Sequence, residues 1–421
     1  MTNGRKVLIS GINFTPEPTG IAVYTTGLAK GLADRGFEVR VITGLPHYPQ
    51  WRVQSNFQGN KMHVDRSVEG VIVHRVNHYV PSNPSLMNRT RMEIEFGVRM
   101  IMQDWGQPDA IISVTPALIP TFGAILKSKY SRTKIPTGVW VQDLYSLGVV
   151  ETGAMSKTPA RLVQALEART LRSADQIAVI HDRFAHQLVS KMNVEQSRIT
   201  TIRNWTHTNS PVENNRMPGN KEAKALNLHT GRAVVLHAGN MGAKQGLENV
   251  INAGKIAQEQ NLPIQFVLLG DGNQRRRLQE LAKRNDNVTF VDPLDDNEFE
   301  DALEDADYLL VNEAVGVAEM AVPSKLTTYF NAGKPVIAAT DPYGITADEV
   351  RKSGAGVVVQ SGEPSALIEA IQGLEKQADY RRKLSMNGPI YSQKYLSSSA
   401  MLDKFARWTD ALASHVGKST P

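Results

Sequence analysis

Short runs of apolar residues alternate along the chain with longer stretches that have helical periodicity. In the first half these runs are KVLIS, EVRVIT, VIVHRV, DAIISV and TGVWVQD; in the second they are AVVLHAGN, IQFVLLGDG, VTFVDPL, YLLVNE, KPVIAAT and AGVVV. Near-continuous apolar runs of this length are typical of parallel strands that are covered by helices on both faces. The pattern therefore predicts an α/β protein built on doubly wound parallel sheets.

Both halves open with the same succession of strand, glycine-bearing loop, helix and strand. We expect two facing Rossmann-like domains, residues 1–206 and 227–395, separated by a polar linker over 207–226 and with an interdomain cleft. In such sheets ligands bind beyond the carboxyl ends of the strands. Residues 396–421 should form a final helix that packs on another element, with the first domain as the candidate. Its apolar stripe consists of Met401, Phe405, Trp408 and Leu412.

The composition excludes several classes of protein. A chain of 421 residues exceeds one ordinary core, and the absence of cysteine removes disulfides, thiolate metal sites and cysteine nucleophiles. The N-terminus enters a strand at once, which leaves no room for a signal peptide. The longest uncharged run, between Asp109 and Lys127, contains two prolines and is too short to cross a bilayer. We expect a cytoplasmic protein.

Charge is distributed unevenly between the halves. Residues 1–210 carry 24 Lys and Arg against 15 Asp and Glu, an excess of +9, whereas the remaining residues carry 23 against 27, an excess of −4. The first half is therefore suited to an anionic partner such as a membrane surface or an acidic acceptor, with random surface charge as the alternative. Nucleic acid is not expected, because no stripe interleaves basic and aromatic residues.

Two loops in the second half have the features of an anion site. HAGNMGAKQGLENVI places Gly239 and Gly242 after a strand and Lys244 just before a helix that should start near Gly246. Glycines allow a phosphate to approach the backbone, and a helix N-terminus attracts it. A tight turn with a solvated lysine is the alternative.

The second loop is AVPSKLTTYFNAGKPVIAAT. Here Ser324 should cap a helix that carries Lys325 and ends at Gly333. The two lysines could converge on one diphosphate.

The quoted loops, together with GINFTPEPTGIAVYTTGLAKGLADRGFEVRVITGLPHYPQW and LLGDGNQRRRLQELA, resemble the family 4 glycosyltransferases of the GT-B fold, in particular the colanic-acid and O-antigen type. The resemblance extends over nearly the whole chain. It implies a retaining, metal-independent transfer of a sugar from a nucleotide-diphosphate sugar, with UDP as the expected base, to a glycan or lipid-linked acceptor in bacterial surface polysaccharide synthesis. It implies no cofactor beyond the donor substrate.

The resemblance also implies site residues. Lys244 matches the basic residue of the glycine loop, Ser324 and Lys325 match the phosphate-capping helix, and Gly20 matches a first-domain glycine that approaches donor phosphates and acceptor. Lys244, Lys325, Gln142 and Asp143 are the expected catalytic residues. The expected substrate-binding residues are Gly20, Gly239, Asn240, Met241, Gly242, Gly270, Glu319, Ser324, Leu326 and Thr328.

The chain departs from the family pattern at two places. Met320 and Thr328 stand where many members have two glutamates, and Glu319 is one position from the first, so it is the candidate for a ribose contact. Gln142 stands where members often have a histidine. Gln142 and Asp143 could bind sugar hydroxyls, or they could end the strand in an Asx turn.

Three further segments have either a structural or a substrate-binding interpretation. His181 should cap a helix rather than touch the donor sugar, and Arg203, Asn204 and Trp205 resemble a structural turn before the second domain. The loop PHYPQW could stack on an acceptor sugar or simply be packed.

Residues 85–105 read as a methionine-rich helix with one stripe of Ile94, Val98, Ile101 or Met102, and Trp105. This helix could contact an anionic membrane peripherally or cover the sheet.

Two other classes of function remain as alternatives. A sugar-nucleotide epimerase shares the architecture but needs cleft carboxylates and histidines. A non-catalytic nucleotide-sugar binding subunit would explain Met320 and Thr328.

Overall fold

The computed structural model describes residues 4–17, 20–59, 62–131, 134–146, 157–206, 231–319 and 324–414. The chain forms two compact units, one comprising the chain up to Asn204 together with the segment from Ser399 onward, the other running from Trp205 to Ser398. The expected linker 207–226 and Met320 lie outside the described residues. Each unit is built around a largely parallel sheet, which confirms the predicted α/β class.

The first unit is organised around a sheet with strand order β3-β4-β2-β1-β5-β6-β7-β8. The strands are β1 Lys6–Ser10, β2 Glu38–Gly44, β3 Met62–Asp65, β4 Val71–Val76, β5 Ala110–Val114, β6 Thr137–Val141, β7 Gln176–Val179 and β8 Ile199–Thr201. All described pairings are parallel except that of β3 with β4. The apolar runs of the sequence did not include β3, β7 and β8. Strands β3 and β8 are short edge strands with polar residues, and β7 is only four residues long.

Helices cover both faces of this sheet and come from both ends of the chain. They are α1 Ile21–Ala33, α2 Leu86–Met102, α3 Leu118–Tyr130, α4 Lys157–Ser173, α5 Asp182–Met192 and, at the far end, α13 Ser398–Ala413. The apolar stripe of α13 is buried, and the ring of Phe405 lies 4.8 Å from that of Trp140 on β6. Gly138 leaves room for α13, since a Cβ there would lie 2.5 Å from the Trp408 ring.

Helix α2 buries a different face from the one that its apolar stripe suggested. Its buried residues are Met92, Phe96, Gly97 and Met100. By contrast Ile94, Val98 and Met102 are 46%, 52% and 78% exposed. Trp105 does not continue their stripe, because it lies beyond the helix end, where it is buried and donates to the Met100 carbonyl over 3.0 Å. Of the predicted stripe, these three side chains remain as an exposed apolar face.

The second unit has a parallel sheet of order β11-β10-β9-β12-β13-β14. The strands are β9 Ala233–Ala238, β10 Ile264–Leu269, β11 Val288–Val291, β12 Tyr308–Asn312, β13 Val336–Thr340 and β14 Gly356–Gln360. The helices are α6 Glu248–Glu259, α7 Arg275–Leu281, α8 Asp296–Asp305, α9 Lys325–Asn331, α10 Ile345–Ser353, α11 Pro364–Glu375 and α12 Ala378–Tyr395. Apolar clusters on both faces of the sheet supply its core.

Candidate functional site

The glycine loop after β9 is packed against the loop after β10 at the carboxyl edge of the second sheet. Gly239 donates to the Leu269 carbonyl over 2.9 Å, and Met241 donates to the Asp271 carbonyl over 2.8 Å. Gly239 and Gly270 have φ of 125° and 127°, and a Cβ on Gly270 would lie 2.2 Å from the Gly239 oxygen. Only glycine at position 270 permits this approach of two backbones, so the loop geometry depends on it.

Lys244 lies on the exposed side of this loop, in a 3₁₀ turn over Ala243–Gln245. The turn is fastened to the end of β12: the Asn312 amide donates to the Gln245 and Gly246 carbonyls over 2.7 and 3.0 Å. Helix α6 begins at Glu248, slightly later than predicted, because Gly246 adopts a left-handed conformation with φ 53° between turn and helix. Because the Lys244 ammonium is exposed and its turn is held in place, it can contact an anion without any change in the packing of the core.

Lys325, the first residue of α9, approaches the same loop. Its Nζ lies 3.2 Å from Nε2 of the fully buried His237 on β9, and a Cβ on Gly239 would lie 3.7 Å from that Nζ. Burial lowers the pKa of Lys325 to about 7, against the opposing effect of the Glu313 carboxylate. Burial, reinforced by the lysine, holds the pKa of His237 well below its usual range, so this imidazole is neutral.

Glu313 follows β12 and is held by two threonines. Thr346 donates to Glu313 Oε1 over 2.8 Å, and the Thr340 hydroxyl donates to the other carboxylate oxygen. These bonds fix the carboxylate that favours the charged form of Lys325. The sequence interpretation assigned no role to Glu313 or His237, although both lie in the quoted strand ends YLLVNE and AVVLHAGN.

The start of α9 differs from the prediction. Ser324 stands at the capping position, but its side chain makes no capping hydrogen bond, because its backbone is already helical, with φ −56° and ψ −29°. A capping serine needs an extended backbone for its oxygen to reach the free N–H groups. The Ser324 carbonyl instead accepts from the Thr327 hydroxyl over 2.8 Å. The predicted end of the helix is correct, since Gly333 has φ 64°.

Other expected donor-site residues are spread over this edge. Leu326 is buried in the core of the unit, so only its backbone is available to a ligand, whereas Thr328 is half-buried on α9. Glu319 is half-buried in the segment between β12 and α9, next to Ala318, whose carbonyl accepts from Ile345 over 2.9 Å. A ribose contact by Glu319 stays a prediction.

In the first unit, Gln142 is buried at the end of β6 and exchanges two hydrogen bonds with Asn204, of 3.2 and 2.9 Å. The next residue, Asp143, is half-buried, and its carbonyl accepts from Thr115 over 3.4 Å. Gly20 begins α1 with φ 67°, and a Cβ there would meet no atom within 4 Å. These residues lie at the carboxyl edge of the first sheet, as predicted for a ligand-binding edge.

A buried polar cluster that the sequence interpretation missed lies at the same edge. Glu17, 3% exposed, accepts from the backbone N–H groups of His47 and Tyr48 over 2.8 and 2.9 Å. The His47 ring contacts the ring of His78, with a centroid distance of 5.4 Å, and burial lowers the pKa of His78 to about 4. Glu17 therefore holds the backbone of the loop PHYPQW through these two hydrogen bonds.

Trp51, the last residue of that loop, is covered in part by Arg89, whose guanidinium lies 4.8 Å from the ring centroid. On the same helix α2, burial raises the pKa of Glu93 to about 7, although the Ile119 N–H donates to its carboxylate over 3.2 Å. His181 caps α5 as predicted, through a 3.1 Å bond from the Arg183 N–H to its Nδ1.

Comparison with known proteins agrees with this architecture. The glycosyl transferase 4-like domain family matches residues 19–205, and the glycosyl transferases group 1 family matches residues 220–390. The first family thus matches the N-terminal half of the chain and the second matches the C-terminal half.

The chain belongs to the GT-B glycosyltransferases.

Individual proteins of this kind are similar over nearly the full length. The chain is 29% identical over 416 residues to the putative colanic acid biosynthesis glycosyl transferase WcaI of Escherichia coli (strain K12), covering 95% of this chain and 98% of that protein. Sucrose-phosphate synthase from Thermosynechococcus elongatus has a TM-score of 0.73 at 19% identity, covering 97% of this chain and 99% of that one. Anabaena HepE with UDP-glucose has a TM-score of 0.68 at 15% identity, covering 96% and 99%.

In this glycosyltransferase the second unit brings the two expected lysines to one loop, whereas the first unit holds Gln142 in an amide pair. The family assignment favours transfer over the epimerase and binding-subunit alternatives. None of the helices in the described ranges is both long enough and apolar enough to pass through a bilayer.

Proposed function

We propose that this glycosyltransferase moves a sugar from UDP-sugar to a glycan or lipid-linked acceptor, with retention of configuration and without a metal ion, in bacterial surface polysaccharide synthesis on the cytoplasmic face of the membrane. The observation that carries the proposal is the placement of Lys325 directly behind Gly239, with Lys244 on the same loop. A diphosphate is negatively charged, and one lysine on the glycine loop and a second lysine beside it can neutralise that charge.

The chemistry requires stabilisation of the charge that develops on the leaving diphosphate. The bond between the anomeric carbon and the phosphate oxygen breaks, the acceptor oxygen bonds to that carbon on the same face, and the acceptor proton goes to the departing phosphate oxygen. Lys244 and Lys325 would neutralise the diphosphate, with the backbone N–H groups of the glycine loop. Gln142 and Asp143, which belong to the first unit, would bind and orient sugar hydroxyl groups.

The comparisons support the nature of donor and acceptor. A protein of the same fold, HepE, has a solved structure with UDP-glucose, and the E. coli relative is named for colanic acid biosynthesis. These names favour UDP as the base and a surface polysaccharide as the setting.

A thermal-shift panel with UDP, GDP, dTDP and their common sugar conjugates tests the donor. A ligand that binds only the folded state raises stability by about 2.7 kcal/mol at a hundredfold excess over Kd. We expect a clear shift with UDP. A shift with GDP or dTDP alone would contradict UDP as the donor nucleotide, and no shift with any nucleotide would contradict the proposed donor site. The anomeric configuration of the product by NMR, and turnover in EDTA, test retention and metal independence.

We also propose that the exposed apolar face of α2, defined by Met87, Ile94, Val98 and Met102, contacts an anionic membrane. Arg91 and Arg99 are exposed on the same helix, and the first half of the chain has an excess of positive charge. Apolar side chains flanked by arginines suit the interface of an anionic bilayer.

Flotation with phosphatidylglycerol vesicles tests this contact. The double variant Ile94→Ser/Val98→Ser should lose vesicle binding while UDP binding is retained. The matched control is Leu281→Ser, a comparably exposed apolar residue in the second unit, which should float as the wild type does. Equal flotation of all three proteins, or no flotation of the wild type, would contradict the membrane contact.

A further inference from the structure

His237 is a fully buried histidine at the carboxyl end of β9, one strand position before Ala238. Its Nε2 lies 3.2 Å from Nζ of Lys325, which is 88 positions later in the chain. Because the imidazole is neutral, its Nε2 can accept the hydrogen bond that the lysine ammonium donates; this tautomer places the ring proton on Nδ1, a buried atom to which the described part of the structure gives no hydrogen-bond partner. The histidine thus faces the lysine as an acceptor.

Two titratable groups act on Lys325 among the residues that the structure describes. His237 faces it from β9, and Glu313 acts on it from the end of β12. The Glu313 carboxylate favours the ammonium form, and so does His237 when its Nε2 accepts from Nζ, whereas burial disfavours the ammonium and has the larger effect. The charge of Lys325 is therefore balanced near neutral pH and responds to any further anion that comes close.

We propose that His237 is a positioning residue that holds the Lys325 ammonium at the glycine loop, so that binding of a nucleoside diphosphate there is coupled to protonation of Lys325. The proton comes from solvent, and the bound phosphate oxygens stabilise it on Nζ. This inference rests on the proposed function, in which the loop binds the donor diphosphate.

The coupling predicts how donor affinity depends on pH and how His237 affects the pKa of Lys325. Above the pKa of about 7 of the free protein, the lysine is mostly neutral and must be protonated for the diphosphate to bind. The affinity for a UDP-sugar, whose diphosphate stays fully ionised in this range, should then fall with rising pH, by up to about tenfold per pH unit, and remain constant below pH 7. Removal of the acceptor nitrogen should lower the pKa of Lys325, because the ammonium loses a hydrogen bond.

Lysine side-chain NMR of the full chain with ¹³Cε-labelled lysine measures this directly. The Lys325 resonance, assigned by its absence in Lys325→Met, should titrate near pH 7 in the wild type. His237→Phe should lower the midpoint by at least half a pH unit, whereas His237→Gln, whose amide oxygen also accepts, should keep it within about 0.2 of the wild type. A midpoint near the ordinary lysine value, or one that His237→Phe leaves unchanged, would overturn the positioning role. If His237→Phe does not fold, His237→Asn, whose shorter amide withdraws from Nζ, replaces it.

A second arm separates this inference from the proposed function. With saturating UDP, the Lys325 midpoint should rise by at least one pH unit, and titration calorimetry in HEPES and Tris should show proton uptake. Tyr329→Phe is the structural control, since its hydroxyl accepts from the Ala238 N–H over 2.9 Å and makes no hydrogen bond to Lys325, and it should leave the midpoint unchanged. UDP binding with no rise in the midpoint would overturn the coupling alone. A midpoint that depends on His237 in a protein that does not bind UDP would overturn the coupling together with the proposed donor.

Discussion

The side-chain amides of Gln142 and Asn204 form a reciprocal pair, with hydrogen bonds of 3.2 and 2.9 Å, that ties the end of β6 to the residue at which the chain leaves the first unit for the second. Gln142 is an expected catalytic residue, and this pair already satisfies one donor and one acceptor of its amide. The remaining amide hydrogen and the second lone pair of its oxygen are left for a substrate hydroxyl. The pair therefore fixes the direction of the amide.

Asn204→Ala should lower both stability and activity. Removal of the partner leaves the Gln142 amide buried without its two bonds, at a cost of about 1–3 kcal/mol in the free energy of unfolding. A double-mutant cycle with Gln142→Ala, followed by urea unfolding and donor turnover, measures the pair. We expect a coupling of about 1 kcal/mol, and independent effects of the two substitutions would contradict it.

Lys244→Ala should abolish turnover with little effect on folding. The side chain is exposed on the 3₁₀ turn, so its removal costs no core packing, whereas loss of a cation at the leaving diphosphate should reduce kcat by about 100-fold or more. Lys255→Ala is the matched control, because Lys255 is also an exposed lysine, on the following helix α6. Equal activity of the two variants would exclude Lys244 from the site.

Gly270→Ala should destabilise the second unit by about 3 kcal/mol or more, through overpacking and backbone strain. The residue has φ 127°, and the new Cβ would collide with the Gly239 oxygen. Gly373→Ala on α11 is the opposite case, because a Cβ there meets no atom within 4 Å; it should stabilise by about 0.5–1 kcal/mol. Urea midpoints that change equally in the two variants would show that the contact between the two loops is not rigid.

Lys325→Met should change the pH dependence of stability in a defined direction. The folded-state pKa of about 7 lies below the ordinary lysine value of 10.5, so the unfolded chain binds more protons between these two pH values. The wild type should therefore gain stability relative to Lys325→Met as pH rises from 7 to 10, by at most about 1.4 kcal/mol per pH unit. Urea unfolding at several pH values checks this, and parallel pH profiles of the two proteins would contradict it.

Most strands and their order along the chain were predictable, because near-continuous apolar runs and periodic helices are local patterns; the short edge strands β3 and β8 carry no such run. The glycines were predictable for the same reason: a positive φ, as at Gly239 and Gly270, is a property of one residue. The two lysines were also noted from the loops that contain them, and the family resemblance matched them to phosphate-binding positions. By this local chemistry, the sequence alone determined two doubly wound domains and a glycine loop with cations.

Tertiary structure decided the relationships between distant residues. Lys325 meets His237 across 88 positions, and Gln142 meets Asn204 across 62, and no local pattern contains such a pair. Tertiary packing likewise decided which face of α2 is exposed. Apolar residues occur on more than one side of this helix, and only the side that packs on the sheet and α3 is buried. The capping prediction for Ser324 failed because the backbone there is already helical. Burial and long-range contact, which set the protonation of Lys325, arise only when the strands are assembled into a sheet.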